Sequence, residues 1–249
     1  MRTALIDADI VAFQAAARHE TWTDFGRTVG ELSEAQADVD EMIDKLMAMT
    51  RSTSCILALT CKHKNFRKDI LPTYKENRAG TVDRRPDMLQ PMKDYMALNY
   101  HTDIRLGLEG DDVLGILQGS LNYATIIISE DKDLRTIEGA LYAPHRPEVG
   151  EIQITKLQAD QFLCWQTIVG DSTDGYKGAI GVGPKSLYAQ EVLVADADEL
   201  WDIVLEAYGS VGDDEDSALV QARCARILTA DHYNERTGEV ILWTPEDML

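Results

Sequence analysis

The chain has 249 residues, 45% of them hydrophobic, which excludes a largely disordered protein and suits one α/β domain, alone or with a helical appendage. Its formal net charge of −19 excludes a uniformly basic nucleic-acid binder, so any grip on phosphates must come from a local basic stretch. No apolar run approaches the roughly 20 residues that span a bilayer, and no signal-peptide pattern precedes Ala4-Leu5-Ile6-Asp7. Cys55, Cys61, Cys164 and Cys224 form no C-x-x-C pair and the histidines form no H-E-x-x-H, which speaks against structural zinc and against a disulfide framework. The expectation is a protein of the cytoplasm.

In chain order, Thr3 to Ile6 reads as a buried strand ending in Asp7-Ala8-Asp9. Ser33 and Gln36 have the spacing of a capping box, opening a helix with Val39, Met42, Ile43, Leu46 and Met47 on its apolar face. Cys55 to Leu59 is a second strand. From Lys62 to Arg85 the composition turns basic, with Lys62, Lys64, Arg67, Lys68, Lys75, Arg78, Arg84 and Arg85 against Asp69, Glu76 and Asp83. Met88, Met92, Tyr95 and Met96 recur at the spacing of a helix that packs on the core. Thr102 to Leu106 reads as a short strand, followed by Glu109-Gly110-Asp111-Asp112 at a helix start. Thr125 to Ile128 is a β-branched strand that runs into Ser129-Glu130-Asp131-Lys132-Asp133. Strands alternating with helices point to a mostly parallel, doubly wound sheet flanked by helices. Beyond Thr155 a helix over 156–169 leads into Gly170-Asp171-Ser172-Thr173-Asp174-Gly175 and a glycine-rich turn, Gly178 to Lys185. Two or three further helices reach about Ala230, and Gly238 to Trp243 reads as a last strand.

Acidic clusters lie just beyond three of these strands: Asp7, then Glu109, Asp111 and Asp112, then Asp131 and Asp133. Strand ends of an open α/β sheet border the crevice where ligands bind. Gathering carboxylates there is unfavourable unless cations neutralise them. With oxygen donors and neither His nor Cys, the matching ion is hard, Mg²⁺ or Mn²⁺. The number of carboxylates exceeds what one Mg²⁺ uses, and two ions roughly 4 Å apart suit phosphodiester cleavage. Asp171 to Gly175 could simply cap a helix, and it lacks the spacing of a calcium loop.

These motifs, in the order Leu5-Ile6-Asp7, Phe66-Arg67, Tyr74-Lys75-Glu76-Asn77-Arg78, Glu109-Gly110-Asp111-Asp112, Asp131-Lys132-Asp133 and Gly170-Asp171 to Asp174, resemble those of the 5′-nuclease superfamily. That superfamily holds flap endonucleases, the 5′ nuclease domains of bacterial DNA polymerases and phage 5′→3′ exonucleases, and the short chain looks most like the last. The resemblance runs from Thr3 to about Lys185. It implies that Asp7, Glu109, Asp111 and Asp112 ligate one metal, with Asp131 near the bridge, and that Asp133, Asp171 and Asp174 ligate a second. It implies that Lys75 and Arg78 lie beside the scissile phosphate, as positive charge for the transition state. Residues 79–99 correspond to a helical arch within a nuclease core over 1–155. Residues 156–249 form a helical region with a helix–three-turn–helix at about 165–190. DNA contacts are expected from Arg67, Tyr74, Lys75, Arg78, Arg84, Arg85, Lys177, Gly181, Gly183 and Lys185, and the turn admits K⁺. One departure is Thr60, followed by Cys61, where the superfamily usually has an aspartate. Asp9 could compensate for it or cap the next helix, and the cap is favoured.

The activity so implied is 5′→3′ hydrolysis of DNA with a free 5′ end or 5′ flap by a two-metal mechanism, with Asp7, Lys75, Arg78 and Asp131 in the chemistry and an RNA–DNA hybrid as a further substrate. Alternatives are a catalytically weakened DNA-binding replication accessory protein, suggested by Thr60 and the net charge, and a related RNA-cutting nuclease, which would lack the Tyr74-Lys75-x-Asn77-Arg78 stretch. A haloacid-dehalogenase-like phosphatase, prompted by Asp7-Ala8-Asp9, lacks its companion motifs.

Overall fold

The computed structural model describes residues 1–23, 26–78, 85–121 and 124–248. Strand β1 (Thr3–Asp7) stands at the centre of a six-stranded sheet, so its apolar run is buried on both faces. After it come α1 (Ala8–Arg18), a hairpin of β2 (Glu20–Thr23) and β3 (Gly26–Val29), α2 (Leu32–Thr50) and β4 (Ser54–Ala58). Next are α3 (Arg67–Ile70), α4 (Leu89–Asn99), β5 (Thr102–Asp103), α5 (Gly110–Ser120) and β6 (Thr125–Ile128). The sheet closes with β7 (Gly139–Tyr142) and β8 (Glu151–Ile154), in the order β5-β4-β1-β6-β7-β8. Leu5 lies opposite Ile56 on one side and Ile127 on the other, and every pairing is parallel except β7 with β8. The chain leaves β1 for β4 and β5, then crosses back to β6. The C-terminal edge at β1 is therefore a topological switch point.

Helices α1, α2 and α4 cover one face, where Ala12, Val39, Ile43, Met92 and Met96 are buried with Ile6 and Ile128. On the other face α5 packs Val113, Leu114 and Ile116 onto Leu5, Ile56 and Ile127, joined by Ala159, Ile227 and Leu228 from the C-terminal part. That part contributes α6 (Lys156–Val169), α7 (Leu187–Glu191), α8 (Leu200–Ser210) and α9 (Glu215–Ala225), with a core of their own around Leu163, Val204, Ala222 and Trp243. Helix α6 spans the expected residues, and its N-terminus is closed by Thr155 and Gln158, each side chain bonding the other's backbone N–H. Among the described residues, no helix is long and apolar enough to cross a membrane.

Several local expectations shift. Helix α2 begins at Leu32 with Glu31 before it, so the Ser33/Gln36 capping box is not used. Of Thr102 to Leu106 only the first two residues pair, and Ile104 and Leu106 are exposed. Beyond Gly238 only Glu239–Val240 is strand, paired with Tyr233–Asn234. The hairpin of β2 and β3 and the strands β7 and β8 were not anticipated, being short and without a long apolar run. In the stretch assigned to an arch, residues 79–84, including Arg84, lie outside the described residues. Met92 and Met96 of α4 are fully buried against the core, so 89–99 is a packed helix, as the methionine spacing indicated.

Candidate active site

The parallel strands deliver their C-terminal carboxylates to one cavity of about 230 Å³. Asp7 ends β1, Asp131 follows β6, and Glu109 and Asp111 open α5. Asp133 lies in a short 3₁₀ turn capped by Asp131, and Asp174 enters from the loop after α6. Ser129 ties the first pair together: its hydroxyl donates to Asp7 at 2.8 Å and accepts from the Asp131 amide at 3.0 Å. Gln166 of α6 reaches across and donates to Asp133 at 2.7 Å. Neither Ser129 nor Gln166 stood out in the sequence, because a buried polar residue on a helix or strand end carries no positional signature.

Burial raises Asp7 to about 7, with Asp9 and Asp131 adding repulsion. Burial, then Asp131, lifts Asp133 to about 7 as well. Asp111 is pushed well above the usual carboxylate range by burial and by Asp7, Asp131 and Glu109. Burial also works against Glu109, yet Arg67 and Lys75 overcome it and hold Glu109 at about 2. The cavity is thus a set of carboxylates short of positive charge on the Asp7, Asp111 and Asp133 side, and compensated on the Glu109 side. An all-oxygen donor set that is buried and undercompensated has the chemistry of a site for hard divalent cations. Among the described residues, no three of these groups converge to hold an ion in the present side-chain arrangement. Lys75 and Arg78 stand among them instead.

The Tyr74-Lys75-x-Asn77-Arg78 motif docks the loop that carries Asp174. The Tyr74 hydroxyl lies 2.9 Å from a carboxylate oxygen of Glu109 and 2.9 Å from one of Asp174, its single proton shared between them. Asn77 donates to the Ser172 carbonyl at 2.7 Å, and Arg78 pairs with Asp174. Lys75 adopts a left-handed φ of 55°, uncommon for a residue with a side chain, and its amide donates to the Asp174 carbonyl at 2.7 Å. Its ammonium group lies on Glu109 and 3.4 Å from Asp174.

The structure corrects four assignments. Asp112 is fully buried and receives both Arg67 Nη atoms at 2.7 Å, the Leu228 amide and the Glu109 amide. With its lone pairs so used it anchors Arg67 and does not ligate metal. Arg67 is 2% exposed, its remaining donors on Glu109 and the Cys224 and Arg226 carbonyls, so it cannot reach DNA. Tyr74 is equally buried and orients carboxylates. Asp9 does not cap α1, because Asp7 does, accepting from the Ile10 amide at 3.3 Å. Asp9 lines the cavity, accepts from the Thr60 amide at 3.1 Å and pairs with Lys93 of α4, so a carboxylate stands beside the threonine. The Thr60 hydroxyl accepts from the Gly110 amide at 2.9 Å. Asp171 is outside the cavity lining. Its carboxylate accepts from the Thr173 amide at 2.7 Å and pairs with Lys132 at 3.0 Å.

A second groove of about 790 Å³ opens onto the cavity and shares Thr60, Lys75, Arg78 and Glu109 with it. Lys62, Lys64, Lys68, Arg85 and Lys93 line it, so the basic stretch of the sequence becomes a surface leading to the carboxylates. Past α6 the backbone turns sharply. Cβ atoms on Gly170 and Gly178 would come within 2.3 Å of the Lys177 carbonyl carbon and 2.4 Å of the Ile168 oxygen, so only glycine fits this crossing. Lys177, Gly181, Gly183 and Lys185 of the turn are exposed.

Residues 2–141 match the 5′-3′ exonuclease, N-terminal resolvase-like domain. The chain belongs to the 5′-3′ exonuclease family. It is 30% identical to the exodeoxyribonuclease of Enterobacteria phage T3 over 218 residues, 73% of this chain and 70% of the relative. The exonuclease of Escherichia phage T7 is 29% identical over 221 residues, 73% of this chain and 71% of the relative. In fold it is similar to the phage T5 D15 protein co-crystallised with metal ions, with a TM-score of 0.63 at 15% identity over 90% of this chain and 93% of the other. The D15 flap endonuclease in a pseudo-enzyme-product complex with DNA and metal ions aligns with a TM-score of 0.61 at 18% identity over 90% and 93%. Family membership makes this chain a 5′ nuclease, and the mostly parallel sheet flanked by helices is the fold it shares with D15.

Proposed function

We propose that this family member is a 5′→3′ exodeoxyribonuclease that uses two divalent cations, Mg²⁺ or Mn²⁺, to hydrolyse DNA from a 5′ end or flap. The observation that carries the reading is a basic groove opening into a buried, undercompensated carboxylate cavity at the switch point of the sheet. Asp7, Glu109, Asp111 and Asp131 would hold one cation, and Asp133 and Asp174 the other, with Asp171 acting through water. When bound, the cations supply Lewis acidity and lower the pKa of the attacking water.

The chain's own groups then do the rest. Lys75 and Arg78 exchange Glu109 and Asp174 for the scissile phosphate and stabilise its growing charge. Tyr74 and Arg67 hold Glu109 while Lys75 leaves. Arg85 and the lysines of the groove neutralise the backbone of the entering strand, and Lys177, Lys185 and the exposed amides near Gly181 and Gly183 grip the duplex, with K⁺ accommodated at that turn. On this reading residues 1–155 carry the chemistry and residues 156–249 the grip. The same surface would accept an RNA–DNA hybrid, which suits primer removal in phage replication.

The test is digestion of a duplex labelled separately at its 5′ and 3′ ends, with Mg²⁺ and with chelator. Early release from the 5′ end alone, stopped by chelator, is expected, as is loss of cleavage with retained DNA binding in Asp131→Asn. Near-normal turnover by that variant would sink the two-metal reading.

A further inference from the structure

Tyr176 lies between the loop of Asp171 and Asp174 and the glycine turn. Its position is fixed twice over. Its carbonyl accepts the Asp171 amide at 2.8 Å, and its ring packs in the helical core with Leu163 and Ile168. Only 2% of the residue is exposed, yet it lines the carboxylate cavity. Its hydroxyl has no hydrogen-bond partner, although Asp133, Asp171 and Asp174 are its charged neighbours. Tyr74, the other tyrosine of the cavity, has carboxylate acceptors within 2.9 Å of its hydroxyl.

A buried hydroxyl left without a partner is rare in native proteins and calls for a water or ligand to meet it. Phenylalanine would fill the same apolar niche without that cost, so nothing in the packing requires the hydroxyl. The residue lines the cavity with its hydroxyl closed off from solvent, Asp133, Asp171 and Asp174 lie near it but beyond bonding distance, and a water brought in with a cation would complete both. We propose that Tyr176 is a positioning residue whose hydroxyl hydrogen-bonds a water in the shell of the divalent cation held by Asp133 and Asp174. It would thereby help to hold that ion in place. The inference rests on the metal-dependent reading above. Outer-shell partners of this kind change metal affinity by about ten- to a hundredfold.

The experiment is Mn²⁺ titration of wild-type protein and Tyr176→Phe by the electron paramagnetic resonance signal of the free ion, with thermal melts in chelator and single-turnover cleavage of a duplex. The variant should melt in chelator at or above the wild-type temperature, because it has lost an unmatched hydroxyl. Its Mn²⁺ affinity should fall about tenfold, and its single-turnover rate should fall with little change in DNA affinity. Superimposable Mn²⁺ isotherms would overturn the proposal while leaving the metal reading intact. A melting temperature several degrees lower in chelator would also overturn it, by revealing a partner within the protein. Wild-type protein that binds no Mn²⁺ would overturn the metal reading and this proposal together.

Discussion

The Arg67 guanidinium has five N–H donors, and all of them are engaged, on Asp112, Glu109 and the Cys224 and Arg226 carbonyls. One side chain thus joins α3, the start of α5 and the C-terminal end of α9 at the wall of the cavity. Burying such a pair gains little over apolar packing, but removing one partner strands a charge in a dry interior. Asp112→Ala is therefore expected to cost about 3–5 kcal/mol of stability, read from urea unfolding. A loss below about 1 kcal/mol, in the range of an exposed pair, would show that Asp112 does not hold Arg67. Such a result would reopen its role as a ligand. In the sequence Asp112 looked equivalent to Asp111, because adjacent acids at a helix start differ only in the side of the helix they face.

At the scale of elements, the crossing at Gly170 and Gly178 decides whether the loop of Asp174 can return over the end of α6. Both residues have positive φ, and a methyl group on either would enter the opposing backbone. Gly178→Ala is expected to push the two passes apart, weakening DNA binding and lowering the melting temperature. Gly181→Ala, where nothing lies within 4 Å, meets only the backbone strain of its φ of 93° and should change both far less. Equal effects in the two variants, by melting and by fluorescence anisotropy with a duplex, would contradict this account. The glycines were legible as a turn in the sequence. Which of them brings backbones into contact was not, since that depends on Ile168 and Lys177 meeting across the loop.

Across the whole molecule, the acids that dominate the net charge of −19 are not equivalent. Asp7 and Asp133 titrate near 7 in the folded chain, against 3.8 when solvated. Between those values the folded chain holds protons that the unfolded chain has released, so stability falls as pH rises through this window. Protein in chelator should accordingly melt at a lower temperature at pH 8 than at pH 5. A divalent cation should remove most of the difference, because it replaces the lost protons with charge of the same sign. A melting temperature in chelator that rises towards pH 8 would refute the placement of these groups in a common, undercompensated cavity.

The alternation of β1, β4, β5 and β6 with helices, the acidic clusters beyond β1, β5 and β6, and the basic stretch before α4 were legible in the sequence, whereas the β2–β3 hairpin and β7 and β8 were not. Buried parallel strands must be apolar, and the chain must leave the sheet at their ends. The packing of α4 was legible too, through methionines at helical spacing. Only the tertiary structure decided which acids face the cavity. Asp111 and Asp112 part company around one helix turn, and Asp9 meets Thr60 across the sheet. Arg67 turns from a candidate DNA contact into a buried clamp because residues from after α9 close over it. Tyr176 gained meaning only when its hydroxyl proved to be buried without a partner. Sequence fixes what each group can bond, whereas only the fold brings distant residues close enough to supply the bond or leave it unmade.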